Sequence, residues 1–392
     1  MAEAYIVGAL RTATGKNRGR LSQTHPVDLG GMLVDGLIDQ VGIDPEKVDD
    51  LIFGCVSQNS EQAGNVARNV ALASKLGESV PGVSVDRQCG SAQQAIHFAA
   101  QAVMSGTQDV VIAGGVESMS RVPMFSNISD SAEQGRGMPK SERLEERYPG
   151  IEFSQFMGAE LLATKYELTR EELDNFGYQS HMKAVDATES GRFREEIMPI
   201  EVTLEGGISF THDADEGIRP NANLEALAGL EPLAEGGMIT AGSASQISDG
   251  SAAVMMANAD AVKQYGLKPR ARIHSLAVVG SDPVIMLEGP IPATKKALEK
   301  VGLKIEDIDL YEINEAFGSV PLAWAKAVGA DLNKLNVNGG AQANGHPLGC
   351  TGAKLMTTLL NELERRKGRY GLLAICEGGG TANCTIIERL DS

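Results

Sequence analysis

The sequence predicts an α/β protein whose parallel-rich sheet is covered by helices on both faces. Residues 51–56 and 109–115 are continuous apolar runs of strand length, which is typical of strands buried on both faces. Between them, residues 91–104 carry apolar side chains three and four positions apart, as one face of a helix does. Aromatic residues make up only 4% of the chain, whereas glycine occurs 45 times. An aliphatic core with many tight turns, built from alternating strands and helices, indicates the α/β class.

The chain is expected to contain two similar α/β units, because its 392 residues exceed one ordinary hydrophobic core. A strand is expected at 335–338 and a helix at 351–365, on either side of a loop at His346. Segments of the two units occur in the same order: 48–54 and 308–314, the turn at Cys89 and the loop at His346, and 109–115 and 372–375. A duplicated unit explains this order, and chance similarity of two α/β segments is the alternative.

A less regular segment interrupts the first unit. A helix is expected to begin near Thr169, which is followed by Glu171 and Glu172 as acidic residues of the first turn. Insertions of this kind often carry substrate contacts. The predicted division has three parts: residues 1–119 with 249–268 as the N-terminal half, 120–248 as an inserted loop domain, and 269–392 as the C-terminal half.

Composition excludes several classes of function. The formal net charge of −17 argues against nucleic acid or an anionic membrane as a partner, although a local cation could still bind a phosphate. Five irregularly spaced cysteines do not predict a disulfide framework and suit a reducing cytoplasm. The scattered histidines predict no metal site. The N-terminus enters a strand at once, so neither a signal peptide nor a membrane span is expected.

Cys89 is the first candidate catalytic residue. It lies where an apolar strand gives way to an alanine-rich helix. The helix N-terminus would favour a thiolate, and a thiolate attacks acyl carbonyls. Amide groups near the helix start could also stabilise an oxyanion. A small buried cysteine packed under the helix is the structural alternative.

His346 and Cys376 are the second and third candidates. His346 stands between Gly345 and Pro347, which fix an unusual backbone, and a histidine can accept the thiol proton near neutral pH. Cys376 ends an apolar run and precedes three glycines, and such a loop lets a substrate approach the backbone closely. A second thiol could move a proton to and from carbon. A satisfied loop histidine, a strand-end cysteine and a redox pair of Cys376 with Cys89 are the alternatives.

Asn314 follows an apolar strand, and a helix is expected to begin at this position. It could be an ordinary N-cap, or it could hold a water that polarises a carbonyl. Structural roles are expected for the other cysteines and histidines, which are Cys55, Cys350, Cys384, His25, His97, His181, His212 and His274.

Six blocks of the sequence together resemble the thiolase family, and the resemblance covers essentially the whole chain. The blocks are 85–91 (VDRQCGS), 114–120 (GGVESMS), 314–317 (NEAF), 338–341 (NGGA), 345–349 (GHPLG) and 376–380 (CEGGG). The resemblance implies two duplicated βαβαβαββ halves, a five-layered αβαβα core and an inserted loop domain. It also implies acyl exchange between coenzyme A thioesters, either thiolysis of a 3-ketoacyl-CoA or condensation of two acetyl-CoA, without a metal.

The same resemblance implies roles for individual residues. Cys89 would carry the acyl group, His346 would deprotonate it, and Cys376 would act as acid and base on the α-carbon of acetyl-CoA. Asn314, through a water, and His346 would form one oxyanion hole. The backbone amides of Cys89 and Gly378 would form the other.

Coenzyme A would be a substrate rather than a permanently bound cofactor. The residues implied to contact coenzyme A or the acyl chain are Arg219 at the adenine end, Ala241 and Ser245 in the pantetheine loop, Met157 in the acyl pocket, Ala316 and Phe317. The protein would be a homodimer or a homotetramer, with acyl-CoA and coenzyme A as its small-molecule partners.

Some positions depart from the family pattern. Asp86 stands where many thiolases have Asn, and Glu377 places a charge between Cys376 and Gly378. The pattern at residues 87–95 resembles some thiolases of steroid or branched-substrate breakdown. Two other functions are alternatives: a condensing enzyme of the ketoacyl-synthase type, and a non-catalytic protein that binds coenzyme A or lipid.

Overall fold

A computed structural model describes residues 3–204 and 206–391. The strand expected at the N-terminus begins at Tyr5, and Met1 and Ala2 lie outside the described residues. The strands are β1 (Tyr5–Thr12), β2 (Gly15–Lys16), β3 (Asp50–Gly54), β4 (Gly82–Val85), β5 (Val110–Ser118), β6 (Ile197–Met198), β7 (Ile200–Thr203), β8 (Ser209–His212), β9 (Ser248–Ala257), β10 (Ala271–Gly280), β11 (Leu310–Ile313), β12 (Tyr370–Glu377) and β13 (Thr381–Arg389).

The helices alternate with these strands in both halves of the chain. They are α1 (Pro26–Val41), α2 (Val66–Ala73), α3 (Ser91–Ser105), α4 (Ser126–Glu133), α5 (Glu142–Arg147), α6 (Gln155–Lys165), α7 (Arg170–Glu189), α8 (Leu224–Ala228), α9 (Ala259–Tyr265), α10 (Pro290–Val301), α11 (Ser319–Val328), α12 (Ala341–Asn344) and α13 (Thr351–Arg366). The helix expected near Thr169 is confirmed, and Thr169 forms a capping box with Glu172.

The two halves have matching sheets. The N-terminal strands are ordered β4-β3-β5-β9-β1, and the C-terminal strands β11-β12-β13-β10. In each half a parallel pair is followed by an antiparallel strand. In the N-terminal half β3 runs parallel to β5, and β5 runs antiparallel to β9. In the C-terminal half β11 runs parallel to β12, and β12 runs antiparallel to β13. Antiparallel pairing of β1 with β10 joins the two sheets into one. The predicted duplication is therefore confirmed in the strand order.

The sheet of each half counts as one layer of the fold, and helices form the other three layers. Helices α1 and α2 pack on the N-terminal strands, and α10 packs on the C-terminal strands with α11 beside it. Helices α3 and α13 contact each other, and each also contacts strands of the opposite half. They form the middle layer, whose hydrophobic core takes side chains from both halves. The predicted five-layered α/β fold is confirmed.

The prediction of a strand at residues 335–338 is wrong. Only isolated bridges form there, because Asn336 adopts a left-handed backbone with φ of 43°. Its side chain takes over the pairing with β11: Nδ2 donates to the carbonyl of Ile313 at 2.9 Å, and Oδ1 accepts from the Ile313 amide at 2.9 Å. A side chain that satisfies the backbone in this way competes with a ladder.

The chain between β5 and β9 leaves the N-terminal sheet. This stretch contains α4 to α8 and the β7–β8 hairpin, and it returns to β1 through the short strand β6. The assignment of residues 120–248 to a separate inserted domain, with its flanking boundaries, stays a prediction.

Candidate active site

A strained turn positions Cys89 at the N-terminus of α3. Gln88, just before it, has φ of 49°, which is uncommon for a residue with a side chain. The hydroxyl of Ser91 accepts from the Arg87 amide at 2.9 Å and donates to the Gln88 carbonyl at 2.6 Å. Gly90 is the N-cap of α3. These bonds hold a buried Cys89, whose exposed fraction is 8%, in one orientation.

The expectation that the helix N-terminus makes Cys89 a thiolate is wrong for this structure. Burial raises the pKa of the Cys89 thiol to about 12, and the nearby carboxyl of Glu377 raises it further. Desolvation of the charged form outweighs the favourable helix terminus. The thiol therefore needs a base to take its proton before it can attack.

Hydrogen bonds fix the tautomer of His346. The Thr351 hydroxyl donates to the Pro347 carbonyl at 2.9 Å and lies 2.6 Å from His346 Nδ1, so it accepts a proton from Nδ1. The lone pair is then on Nε2, which lies 3.3 Å from Nδ2 of Asn314. Burial, and then the charge of Lys354, lower the pKa of His346 to about 3. The imidazole is neutral at pH 7 and can accept a proton through Nε2.

The loop of His346 is held from beneath by buried polar groups. Lys354 Nζ donates to Asn344 Oδ1 at 2.7 Å and to the Gly345 carbonyl at 3.0 Å. A carboxylate oxygen of Glu117 accepts from the Gly349 amide at 2.8 Å. Sequence reasoning missed Lys354, Thr351 and Glu117. A lysine in the first turn of a helix opposes the helix dipole, and this was the available signal for Lys354.

Asn314 directly follows β11 and is not an N-cap. The next helix begins five residues later at Ser319, and Gly318 is its N-cap residue. The Asn314 side chain is buried, and its Oδ1 has no hydrogen-bond partner among the described residues. An unpaired buried acceptor beside His346 Nε2 suits a site that binds a water or a substrate group.

Cys376 is the penultimate residue of β12, and its loop touches the turn of Cys89. Burial raises the pKa of Cys376 well above its usual value, and the neighbouring thiol of Cys89 raises it further. A side chain on Gly378 would lie within 3.0 Å of the Gln88 side chain, and one on Gly90 within 3.0 Å of Glu377. The two thiol loops are therefore in van der Waals contact.

Close packing around Gly54 brings the His346 loop next to the N-terminus of α3. A Cβ on Gly54 would lie within 3.0 Å of both the Gly349 carbonyl and the first amides of α3. The structure thus brings the segments of Cys89, Cys376 and Gly378 together at the N-terminus of α3. The His346 loop approaches the same helix, and Asn314, after β11, lies beside His346. Two thiols, a neutral imidazole and an unpaired amide can carry out thiol-dependent acyl transfer.

The residues expected to contact coenzyme A fall into two groups. Arg219 and Ala241 line a cavity of about 290 Å³ in the segment between β5 and β9. The amide of Ser245 donates to the Ala316 carbonyl at 2.9 Å, and Ala244 forms a bridge with Phe317. Met157 lies on α6, half of it exposed, next to Phe156, whose ring packs edge-on against Phe317 at 5.6 Å.

The remaining features are structural. All five cysteines are unpaired and buried. Within residues 3–204 and 206–391, no group of three or more His, Cys, Asp and Glu side chains is arranged to hold a metal ion. In the same described part of the chain, none of the helices has the length and apolar character that crossing a membrane requires.

Known proteins of one family match the whole chain. The family model for the thiolase N-terminal domain matches residues 4–260, and that for the thiolase C-terminal domain matches residues 267–389. Steroid 3-ketoacyl-CoA thiolase FadA6 of Mycobacterium tuberculosis is 55% identical over 392 residues, which are 100% of this chain and 95% of the relative. A 3-ketoacyl-CoA thiolase of Idiomarina loihiensis is 42% identical, and both chains are covered completely.

A solved structure agrees with these relatives. The crystal structure of the Bacillus anthracis acetyl-CoA acetyltransferase superposes with a TM-score of 0.91 at 38% identity, covering 100% of this chain and 99% of the other. The family matches, the relatives and the fold all lead to one conclusion. The chain belongs to the thiolase family and is an acyltransferase.

Proposed function

We propose that this enzyme cleaves 3-ketoacyl-CoA thioesters through an acyl-Cys89 intermediate. The observation that carries the proposal is the contact between the two thiol loops, together with the loop of a neutral His346 that approaches the start of α3. His346 takes the proton of the Cys89 thiol, and the sulfur attacks the 3-keto carbon. The bond between the second and third carbons breaks, and Cys376 protonates the departing carbon to give acetyl-CoA. The thiol of a second coenzyme A gives its proton to the Cys376 thiolate and attacks acyl-Cys89. The bond between the acyl carbon and the Cys89 sulfur breaks, His346 returns its proton to that sulfur, and the shortened acyl-CoA is released.

The oxyanions of the two steps are stabilised at different places. Asn314 and His346 lie together, and we assign to them the thioester oxygen of acetyl-CoA. The backbone amides of Cys89 and Gly378 would receive the oxyanion formed on the acyl group. Arg219, Ala241, Ser245, Ala316 and Phe317 would contact coenzyme A, and Met157 would contact the acyl chain.

Bulky, ring-bearing acyl groups are the proposed substrates. The relative that is 55% identical carries the name of a steroid 3-ketoacyl-CoA thiolase. Three apolar side chains of α6, those of Phe156, Met157 and Leu161, are exposed, and Phe156 also contacts Phe317. Exposed apolar groups of this kind bind an apolar substrate by removing it from water.

We further propose a cytoplasmic homo-oligomer, either a dimer or a tetramer. Five free thiols persist most readily in a reducing compartment. Light scattering coupled to size-exclusion chromatography would distinguish the two assemblies by mass.

Thiolysis by Cys89→Ala and wild type tests the proposed function directly. Acetoacetyl-CoA, a long straight-chain 3-ketoacyl-CoA and a steroid-derived 3-ketoacyl-CoA are each assayed with free coenzyme A. We expect the wild type to prefer the steroid-derived substrate, and the variant to lose at least about 10³-fold in kcat, as removal of a covalent nucleophile does. Full activity of the variant would refute the mechanism. A preference for acetoacetyl-CoA would refute the substrate class.

A further inference from the structure

A buried carboxyl group that the mechanism does not use lies between the two thiol loops. Glu377 is the last residue of β12, directly between Cys376 and Gly378, and none of its surface is exposed. Its Oε2 accepts from the Thr381 hydroxyl at 2.7 Å. The side-chain amide of Asn383 lies 3.0 Å from Oε1. Its nitrogen would donate to an ionised Glu377, whereas in the orientation in which Asn383 Nδ2 donates to Gln94 Oε1 at 3.2 Å, its oxygen accepts the proton of the neutral acid.

Glu377 packs directly against the residue that follows Cys89. A Cβ placed on Gly90 would lie within 3.0 Å of Oε1 and of the carboxyl carbon of Glu377. The carboxyl group therefore fills the space of a side chain at position 90. With the Gln88 side chain lying against Gly378, two contacts set the spacing between the loops.

The surroundings of Glu377 disfavour a charge on it. Within the described chain, no lysine, arginine or histidine nitrogen lies within 4.0 Å of its carboxyl oxygens. The ionisable groups that face it are Arg87 and Cys89 in the turn before α3, and Cys376 on its own strand. Burial raises the pKa of Glu377 to about 8. An ionised Glu377 would raise the pKa of both thiols.

We propose that Glu377 is a positioning residue that works as a neutral carboxylic acid, holding the Cys89 turn against the Cys376 loop, and that its ionisation suppresses thiolate formation. This inference rests on the proposed roles of Cys89 and Cys376. It makes the acid form of Glu377 the active form, so the enzyme loses thiol reactivity relative to an uncharged variant as pH rises.

Alkylation of Cys89 by iodoacetamide, measured without substrate between pH 6 and 10, tests the inference. The rate is followed by mass spectrometry of the Cys89 peptide in wild type and Glu377→Gln. At pH 7 we expect rates within about twofold of each other. At pH 9 the variant should react about threefold to tenfold faster, because a removed like charge lowers the thiol pKa by up to about one unit.

Two more variants test the ionisation of Glu377 and control for the loss of a buried carboxyl group. Thr381→Val removes a bond that favours the ionised form of Glu377, so Glu377 should ionise at a higher pH than in wild type. The pH above which Cys89 reacts more slowly than in Glu377→Gln should therefore be higher for Thr381→Val than for wild type. Glu312→Gln makes the same change at another buried glutamate, on β11, and should follow the wild-type profile. A wild-type profile in Glu377→Gln or in Thr381→Val would overturn the inference without touching the role of Cys89, which the thiolysis assay reports separately.

Discussion

The hydroxyl of Thr351 lies 2.6 Å from Nδ1 of His346 and donates its own proton to the Pro347 carbonyl. A hydroxyl has one proton, so this geometry assigns the imidazole proton to Nδ1 and the lone pair to Nε2. At the scale of single residues, the Thr351 hydroxyl thus decides which nitrogen of His346 has a free lone pair for the proposed role as base. The neutral state of the ring is decided by burial and by Lys354.

Thr351→Val should therefore impair the base without removing it. Losing one buried hydrogen bond costs about 1–1.5 kcal/mol, so kcat for thiolysis should fall about tenfold while the KM for coenzyme A changes little. Thr357→Val is the matched control, since that hydroxyl bonds only within α13, to the Ala353 carbonyl. Equal effects of the two substitutions on kcat would show that Thr351 does not set the tautomer.

At the scale of elements, the catalytic loops depend on how closely backbones approach one another. The carbonyl of Gly349 would lie within 3.0 Å of a Cβ at either Gly54 on β3 or Gly115 on β5. Because backbone atoms cannot move aside as a flexible side chain does, these strand positions accept only glycine. The absence of two side chains lets the His346 loop pack against β3 and β5 at the last residue pair of their parallel register, Gly54 and Gly115.

Gly115→Ala should displace the loop of His346. We expect a loss of about 1–3 kcal/mol in the free energy of unfolding in urea, together with a lower kcat, because overpacking shifts the backbone. Gly137→Ala is the control, because nothing lies within 4 Å of a Cβ there and the backbone is not left-handed. A variant as stable and as active as wild type would contradict the close approach at Gly115.

At the scale of the whole molecule, polar contacts cross the boundary between the two halves. Gln93 on α3 donates to the Leu373 carbonyl at 3.0 Å and to the Thr385 hydroxyl at 2.8 Å. Nε2 of His97, one turn further along α3, lies 2.8 Å from the same hydroxyl. His97 is fully buried, and burial lowers its pKa to about 3. The middle layer therefore joins the halves through neutral groups.

This burial predicts how stability depends on pH. The unfolded chain binds a proton at His97 below its ordinary pKa of about 6.5, whereas the folded protein binds it only near pH 3, so stability is lost as pH falls through this window. His97→Gln should reduce the loss in unfolding free energy between pH 6.5 and 4.5 by about 2 kcal/mol. Urea unfolding at the two pH values measures it. His274→Gln, at a partly buried histidine, should change the pH slope less, and an unchanged slope in His97→Gln would contradict the prediction.

The sequence by itself determined the order of strands and helices, the duplication and the family. Continuous apolar strands and 3.6-residue periodicity are local patterns, and they located α3, β5, α7 and the turn of Cys89 to within a few residues. The six blocks carry the backbone turns and reactive side chains of the site, so they could be recognised in the linear chain. The expected strand at residues 335–338 failed because the Asn336 side chain replaced the backbone pairing.

Only the tertiary structure decided the chemical state of the site. The sequence predicted a thiolate at Cys89, but burial and the nearby Glu377 raise the pKa of that thiol. Asn314 could be read as an N-cap until its side chain was found beside Nε2 of His346. Desolvation and contacts between residues far apart in the chain fix protonation states and hydrogen-bond partners, and neither quantity is contained in a local sequence pattern.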